Sequence, residues 1–338
     1  MNKKLYLENI GIIKEANINL EGLSVIAGEN DTGKSTVGKI LMALIKTHNM
    51  SEWKTKKSNK IWIKERAFDK LIDLIFNGEL KDNGKIILSK GQNIIYEVCI
   101  ERNRCTSFKS KGQDYVDCTF IQSPLVWDLF DFFTKVRLAN DNARIYGGGY
   151  ELSYPYLLWD LYQKIGLQRP LKKSLDFKEL KEEIVDIING HFLQNNKEAY
   201  KFYRNNKEIS VENVATGIKQ FGILQTLINN HRITPQGFLI FDEPENHLHP
   251  TWQILFVKIL IKLSTKNIPI LINTHSPYVV EAIYKYGIRY KARVNFHVSL
   301  ESKIEQVENN EKTMELIFEK LNKPFQTFDE LDIKNGRL

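Results

Sequence analysis

An apolar run, Leu23 to Ala27, leads into nine residues rich in glycine and polar side chains, and these into an amphipathic run, Val37 to Ile45. That succession predicts a buried strand, a loop and a helix. Ahead of it, Leu5 to Asn9, Ile12 to Ile13 and Ala16 to Leu20 read as short strands with turns at Gly11 and Gly22. Lys85 to Ser89, Asn93 to Glu101, Arg104 to Lys109 and Val116 to Ile121 alternate or run apolar between turn signals at Gly84, Lys90-Gly91 and Lys111-Gly112, and predict a small antiparallel β subdomain. It closes at Gln122-Ser123-Pro124, where proline ends the strand and leaves Gln122 at its tip.

From Val126 to about Tyr203 the pattern turns helical and aromatic. Trp127, Phe130, Phe132 and Phe133 come first, then Tyr156 to Ile165, then Asp176 to Phe192 with Leu180, Ile184, Ile187 and Ile188 on one face. Gly147-Gly148-Gly149 interrupts this lobe. Ala199 to Arg204 and Glu208 to Val211 suggest a hairpin around Asn205-Asn206, before a helix over Lys219 to Asn230. Gly237 to Phe241 and Ile268 to Asn273 are apolar enough for strands buried on both faces, and the amphipathic stretch Thr251 to Ser264 lies between them. Alternating strand and helix imply an α/β core whose first and last thirds share one sheet.

The composition is that of an ordinary globular chain: 338 residues, 42% hydrophobic and 26% charged. No stretch reads as a signal peptide, and the apolar run Ile254 to Leu263 is broken by Lys258 and Lys262, so no membrane span and a cytoplasmic location are expected. The three cysteines, Cys99, Cys105 and Cys118, form no C-x-x-C and read as plain thiols. The net charge of +7 and pI near 9.0 point towards an anionic partner or simply towards solvated lysines. Lys54, Lys56, Lys57, Lys60 and Lys64 cluster around Trp53 and Trp62, which reads either as a nucleic-acid contact or as a solvated helical insertion.

Against this frame the chemistry-bearing positions stand out. Gly28-Glu29-Asn30-Asp31-Thr32-Gly33-Lys34-Ser35-Thr36 matches G-x-x-x-x-G-K-S between a strand and a helix. Such a loop turns backbone N–H groups and a helix N-terminus towards phosphate, with Lys34 adding a formal charge and Ser35 a ligand for Mg2+. The expected ligand is a nucleoside triphosphate. Asp242 and Glu243, at the end of a buried strand, suit holding the metal and activating a water respectively, and His275 sits at the tip of the next strand, within reach of a terminal phosphate. Val214-Ala215-Thr216-Gly217, at the mouth of a helix, is a second place where N–H groups can meet phosphate.

These segments, taken in order, resemble the Walker A loop, Q-loop, signature, Walker B with D-loop, and switch histidine of ABC-type ATPases: Gly28 to Thr36, Gln122, Ala215 to Gln220, Phe241 to Pro250, and Asn273 to Pro277. The version here is similar to the OLD-like and SMC-like branch of AAA-named ATPases, as in the anti-phage systems PARIS and Septu. The resemblance implies a P-loop NTPase of ABC type. Residues 1–125 and 211–311 would form the nucleotide-binding core, 126–210 an inserted helical lobe, and 312–338 a C-terminal amphipathic segment. It implies Gln122, Glu243 and His275 as catalytic residues, Gln122, Ser35 and Asp242 around the metal, and a homodimer or higher even oligomer. In that dimer Ala215, Thr216, Gly217 and Lys219 of one copy cover the phosphates held by Glu29 to Thr36 of the other.

Two departures from the pattern bear on this: Ala215 stands where a serine is usual, and His249 where the D-loop has aspartate. After His275 there is no Glu and Asp-x-Asp pattern of a Toprim nuclease, so the expectation is an engine that gates a separate effector, a nuclease or toxin. The alternative is a DNA-binding repair or recombination ATPase of the SMC/OLD type.

Overall fold

A computed structural model describes residues 3–58, 63–78, 80, 83–112, 114–146, 154–167, 175–194 and 200–334, with side chains left out at 52–58, 142–146 and 323–334. In chain order the elements are β1 (Lys3–Ile10), β2 (Ile13–Asn19), β3 (Leu23–Ala27), α1 (Lys34–Ser58), α2 (Lys64–Phe76), β4 (Gly84–Lys90), β5 (Asn93–Glu101), β6 (Arg104–Ser110) and β7 (Asp117–Ile121). There follow α3 (Phe130–Tyr146), α4 (Tyr156–Gly166), α5 (Lys178–Ile188), β8 (His191–Gln194), β9 (Tyr200–Arg204), β10 (Lys207–Ser210), α6 (Thr216–Asn229), β11 (Gly237–Asp242), α7 (Pro250–Thr265), β12 (Ile270–Thr274), α8 (Pro277–Arg289), β13 (Val294–Leu300), β14 (Lys303–Glu305) and α9 (Asn310–Lys334).

Among the described residues, one sheet of 11 strands runs β6-β5-β4-β1-β2-β14-β13-β3-β12-β11-β7. Its two halves differ in kind. β1, β4, β5 and β6 pair antiparallel, with burial alternating over Leu5–Leu7, Ile86–Leu88 and Tyr96–Ile100, whereas β13, β3, β12, β11 and β7 are parallel neighbours. Every residue of β3 and β12 is buried, as expected of parallel strands covered on both faces. Leu23, Val25 and Ala27 of β3 face a core shared with α3 to α9, and Ile26 faces a second core formed with α1, α2 and the antiparallel half.

Several expectations are revised by this topology. Ile12 and Ile13 make no strand of their own: Ile10 pairs with Ile13, so Gly11 (φ 59°) and Ile12 are the turn of a hairpin. The stretch around Val116 to Ile121 leaves the antiparallel subdomain and becomes β7, the parallel neighbour of β11. Its last four residues are buried, which suits a strand covered on both faces better than a half-solvated meander. The lobe between Gln122 and α6 carries α3, α4 and α5, and the suggested hairpin is completed by β8 into a three-stranded sheet. The glycine triplet at 147–149 and Lys60 and Trp62 of the lysine cluster lie outside the described residues, as do the side chains of Trp53, Lys54, Lys56 and Lys57.

The lobe is locked to the core by polar groups as well as apolar ones. Lys164 of α4 is buried, donating to Thr119 Oγ1 (2.8 Å) and pairing with Asp117 (3.2 Å) and Asp160 (3.2 Å). Lys46 of α1 pairs with the same two acids. Burial pushes the Asp117 carboxyl up, but Lys164 and Lys46 outweigh it and hold it below the usual carboxylate range. Met314 and Ile317 of α9 are buried in the larger core, with Leu316, Phe318 and Leu321 packed against it. The described part of that apolar segment is therefore taken up by its own chain.

Candidate phosphate-binding and hydrolytic site

Strand register assembles the site. Ile121 pairs with Phe241, Asp242 with Asn273, and Asn273 with Ile26, one residue before Ala27. Four segments far apart in sequence thus end at the same edge of the sheet: Gln122 after β7, Asp242-Glu243 after β11, Thr274-His275 after β12 and the glycine loop after β3. This is the carboxyl edge of a parallel sheet, where ligands bind in open α/β folds.

The loop from Gly28 to Gly33 can take its path only with glycine at both ends. A Cβ on Gly28 would lie 2.8 Å from the Ser299 carbonyl oxygen, and one on Gly33 (φ +88°) would lie 2.5 Å from Ile13 Cγ1. Thr32 Oγ1 donates to Glu29 O (2.8 Å) and Ser299 Oγ donates to Thr32 O (3.1 Å), fixing the turn from within and from β13. Lys34 folds back over the loop, donating to the carbonyls of Gly28 (3.0 Å) and Glu29 (2.5 Å). Burial pulls its ammonium pKa down, against the opposing pull of Glu243, Asp242, Glu245 and Glu29. A partly desolvated cation at the mouth of a 25-residue helix is poised for an anion. Asn30 and Asp31 are exposed on the outer turn, with Asp31 at φ 58°, and Thr36 opens the helix beside Gly11.

Ser35 Oγ donates to Asp242 Oδ1 (2.9 Å), and Asn273 Nδ2 donates to the same oxygen (2.8 Å). Burial raises the Asp242 carboxyl pKa, and these two bonds offset part of the rise. A hydroxyl and a carboxylate side by side at a phosphate loop fit Mg2+, which takes few protein oxygens and completes its shell with water and phosphate. Gln122 is exposed at the tip of β7, one residue beyond the pair Ile121–Phe241 and so level with Asp242.

Glu243 has a left-handed backbone (φ 52°), an uncommon conformation for a non-glycine residue, held by its N–H donating to Asn273 O (2.9 Å). The turn swings its carboxylate off the strand, where Asn246 Nδ2 donates to Oε2 (3.0 Å) and His275 Nδ1 lies 3.5 Å from Oε1. Asn273, Asn246 and Glu245 are residues the sequence pattern did not single out. Asn273 and Glu245 are buried, and the signal for them was only their place within Asp-Glu-Pro-Glu-Asn and Asn-Thr-His-Ser.

The second candidate stretch is the first turn of α6. Ala215 and Thr216 are exposed, and Ala215 caps α6 without a side-chain hydrogen bond, so the first N–H groups of the helix are open. Lys219 points elsewhere: it is buried, with its ammonium 2.5 Å from Asp128 Oδ1. His249 accepts from Thr251 N–H (3.4 Å) as the cap of α7.

Residues 163–280 match the family model described as an AAA ATPase domain, a stretch that contains Asp242, Glu243 and His275. Over that stretch, about a third of the chain, the sequence is similar to an ATPase domain. The "Retron Ec83 probable ATPase" of Escherichia coli is 33% identical to this chain over 106 residues, a match spanning 26% of this chain and 19% of that protein. The chain thus aligns with about a fifth of the curated relative. Among solved structures, the chain is similar to the SMC head domain from Thermotoga maritima, with TM-score 0.47 and 15% identity over 91% of this chain and 99% of that one. It is also similar to cbiO1 from Clostridium perfringens, part of the ABC transporter complex cbiONQ, with TM-score 0.41 and 16% identity over 98% of this chain and 99% of that one. Among the described residues no helix is long and apolar enough to cross a membrane.

Proposed function

We propose that the chain binds ATP at Gly28–Thr36 and hydrolyses it in a head-to-tail dimer whose closure gates a separate effector, a nuclease or toxin, in an anti-phage system. The observation that carries the catalytic half is the meeting of Lys34, Ser35, Asp242, Glu243 and His275 at one sheet edge. The loop N–H groups and Lys34 hold the phosphates. Ser35, Asp242 and Gln122 are the residues that would hold Mg2+, which supplies charge neutralisation on the phosphate oxygens. Glu243 orients a water and takes its proton as the oxygen attacks the terminal phosphorus. The bond to the bridging oxygen breaks with its electron pair leaving on ADP. His275 faces the terminal phosphate.

The dimeric half is supported by the open first turn of α6, whose Thr216 and Gly217 would meet a phosphate presented by a second copy. The likeness to a retron ATPase supports the defence role. Light scattering tests the dimer: Glu243→Gln with ATP should run at twice the mass of Lys34→Ala with ATP. Equal masses for both variants, with and without ATP, would refute it. The net charge of +7 favours a second reading, a repair or recombination ATPase acting on DNA. Filter binding at two salt concentrations separates the readings, since phosphate contacts weaken steeply with salt and a protein-gating ATPase ignores DNA.

A further inference from the structure

Glu245 has no role in the reading above, yet it is among the most constrained polar residues of the site. It is 5% exposed, and its Oε1 accepts from Thr274 Oγ1 (2.6 Å) and from the backbone N–H of His275 (2.8 Å). The same oxygen lies 3.4 Å from His275 Nδ1, while Oε2 is buried without a hydrogen-bond partner. His275 Nδ1 is buried too, although the side chain as a whole is 37% exposed, so the ring's other edge, with Nε2, is the part that faces out. Nδ1 therefore looks onto two carboxylate oxygens, one from Glu243 and one from Glu245. Neither can donate while ionised, so a lone pair on Nδ1 would be repelled by both and a proton there would be attracted.

Resting on the ATPase reading, the geometry assigns Glu245 as a positioning residue: it fixes the proton of His275 on Nδ1 and thereby turns Nε2 towards the terminal phosphate. Burial raises the Glu245 carboxyl pKa. This does not change the assignment, because donors converge on Oε1 and a proton on the group would sit on Oε2. Both contacts of Nδ1 are long, as is common in sites that tighten when substrate binds. Glu245 is the stronger holder, since it also grips the backbone of the residue it orients. Glu243 is 31% exposed on its side chain and is already bonded to Asn246.

The test is 15N NMR of histidine-labelled full chain at pH 8, with the His275 signals assigned by His275→Gln, beside steady-state ATP hydrolysis. The expected wild-type spectrum is the Nδ1–H tautomer, kept in Glu243→Gln and lost in Glu245→Ala. Glu245→Ala should lower kcat about tenfold or more with KM for ATP within about twofold, and Glu245→Gln, whose Oε1 can still accept, should keep the tautomer and recover most of the rate. A wild-type Nε2–H tautomer overturns the proposal, as does a tautomer lost in Glu243→Gln and kept in Glu245→Ala. The wild-type spectrum needs no variant, so misfolding of Glu245→Ala would not hide the result. A wild-type chain that binds ATP without hydrolysing it would count against the catalytic reading of the site and leave the tautomer assignment standing.

Discussion

His297 gives the clearest link between pH and the integrity of the phosphate loop. It lies fully buried in β13, accepting the Asn19 N–H on Nε2 (2.9 Å) and bonding Val25 O through Nδ1 (3.0 Å). One imidazole therefore bridges β2, β13 and the strand that carries the loop. Donating to Val25 fixes the proton on Nδ1 and leaves Nε2 as acceptor; a second proton would set an N–H against the Asn19 N–H. Burial lowers the His297 pKa from 6.5 to about 4. The depressed folded value means that its contribution is fully present above 6.5 and is lost as pH falls through about 4, because the unfolded chain takes the proton first. A separation of this size is worth about 3 kcal/mol in all, of which about 2 kcal/mol is lost between pH 8 and pH 5. Urea denaturation of wild type and His297→Gln at pH 8 and pH 5 measures it. The variant should be the less stable at pH 8, and the gap should narrow by about 2 kcal/mol at pH 5. A gap of equal size at both pH values would refute the reasoning, since the two chains share every other titrating group.

Other outcomes follow from single contacts. Glu243→Gln should retain ATP binding and lose about 100-fold or more in kcat, whereas Lys34→Ala should lose binding itself, both read by nucleotide titration and phosphate release. Lys164→Met leaves Asp117 and Asp160 with Lys46 alone, and should cost about 3 kcal/mol in urea denaturation, near the lower end for a broken buried pair because Asp117 keeps some water contact. In Gly222→Ala the new Cβ would lie 2.4 Å from Phe192 Cε2, in a ring packed on Trp127 at 4.9 Å. The gain of about 1 kcal/mol in helix propensity should be outweighed by an overpacking cost of up to about 3 kcal/mol, visible as a lower Tm.

The sequence by itself determined the pieces of the site and their local form. Gly28 to Thr36 declares a strand, a tight loop and a helix because glycine spacing and hydrophobic runs are local properties, and Asp242-Glu243 and His275 announce themselves by ending apolar runs. What only the tertiary structure decided is which ends meet. Register across β3, β12, β11 and β7 is set by long-range pairing, which no periodicity encodes, and it moved Val116–Ile121 from the antiparallel half to the parallel one. The same holds for side chains whose meaning is a partner. Asn273 matters because Asp242 lies across the ladder from it, and Lys219 turned out to belong to Asp128. Glu245 reads in sequence as one more acid in a turn; folded, its Oε1 lies where Thr274 and His275 both need an acceptor. Burial raises the cost of leaving such groups unpaired, so their partners become fixed only once the core has closed around them.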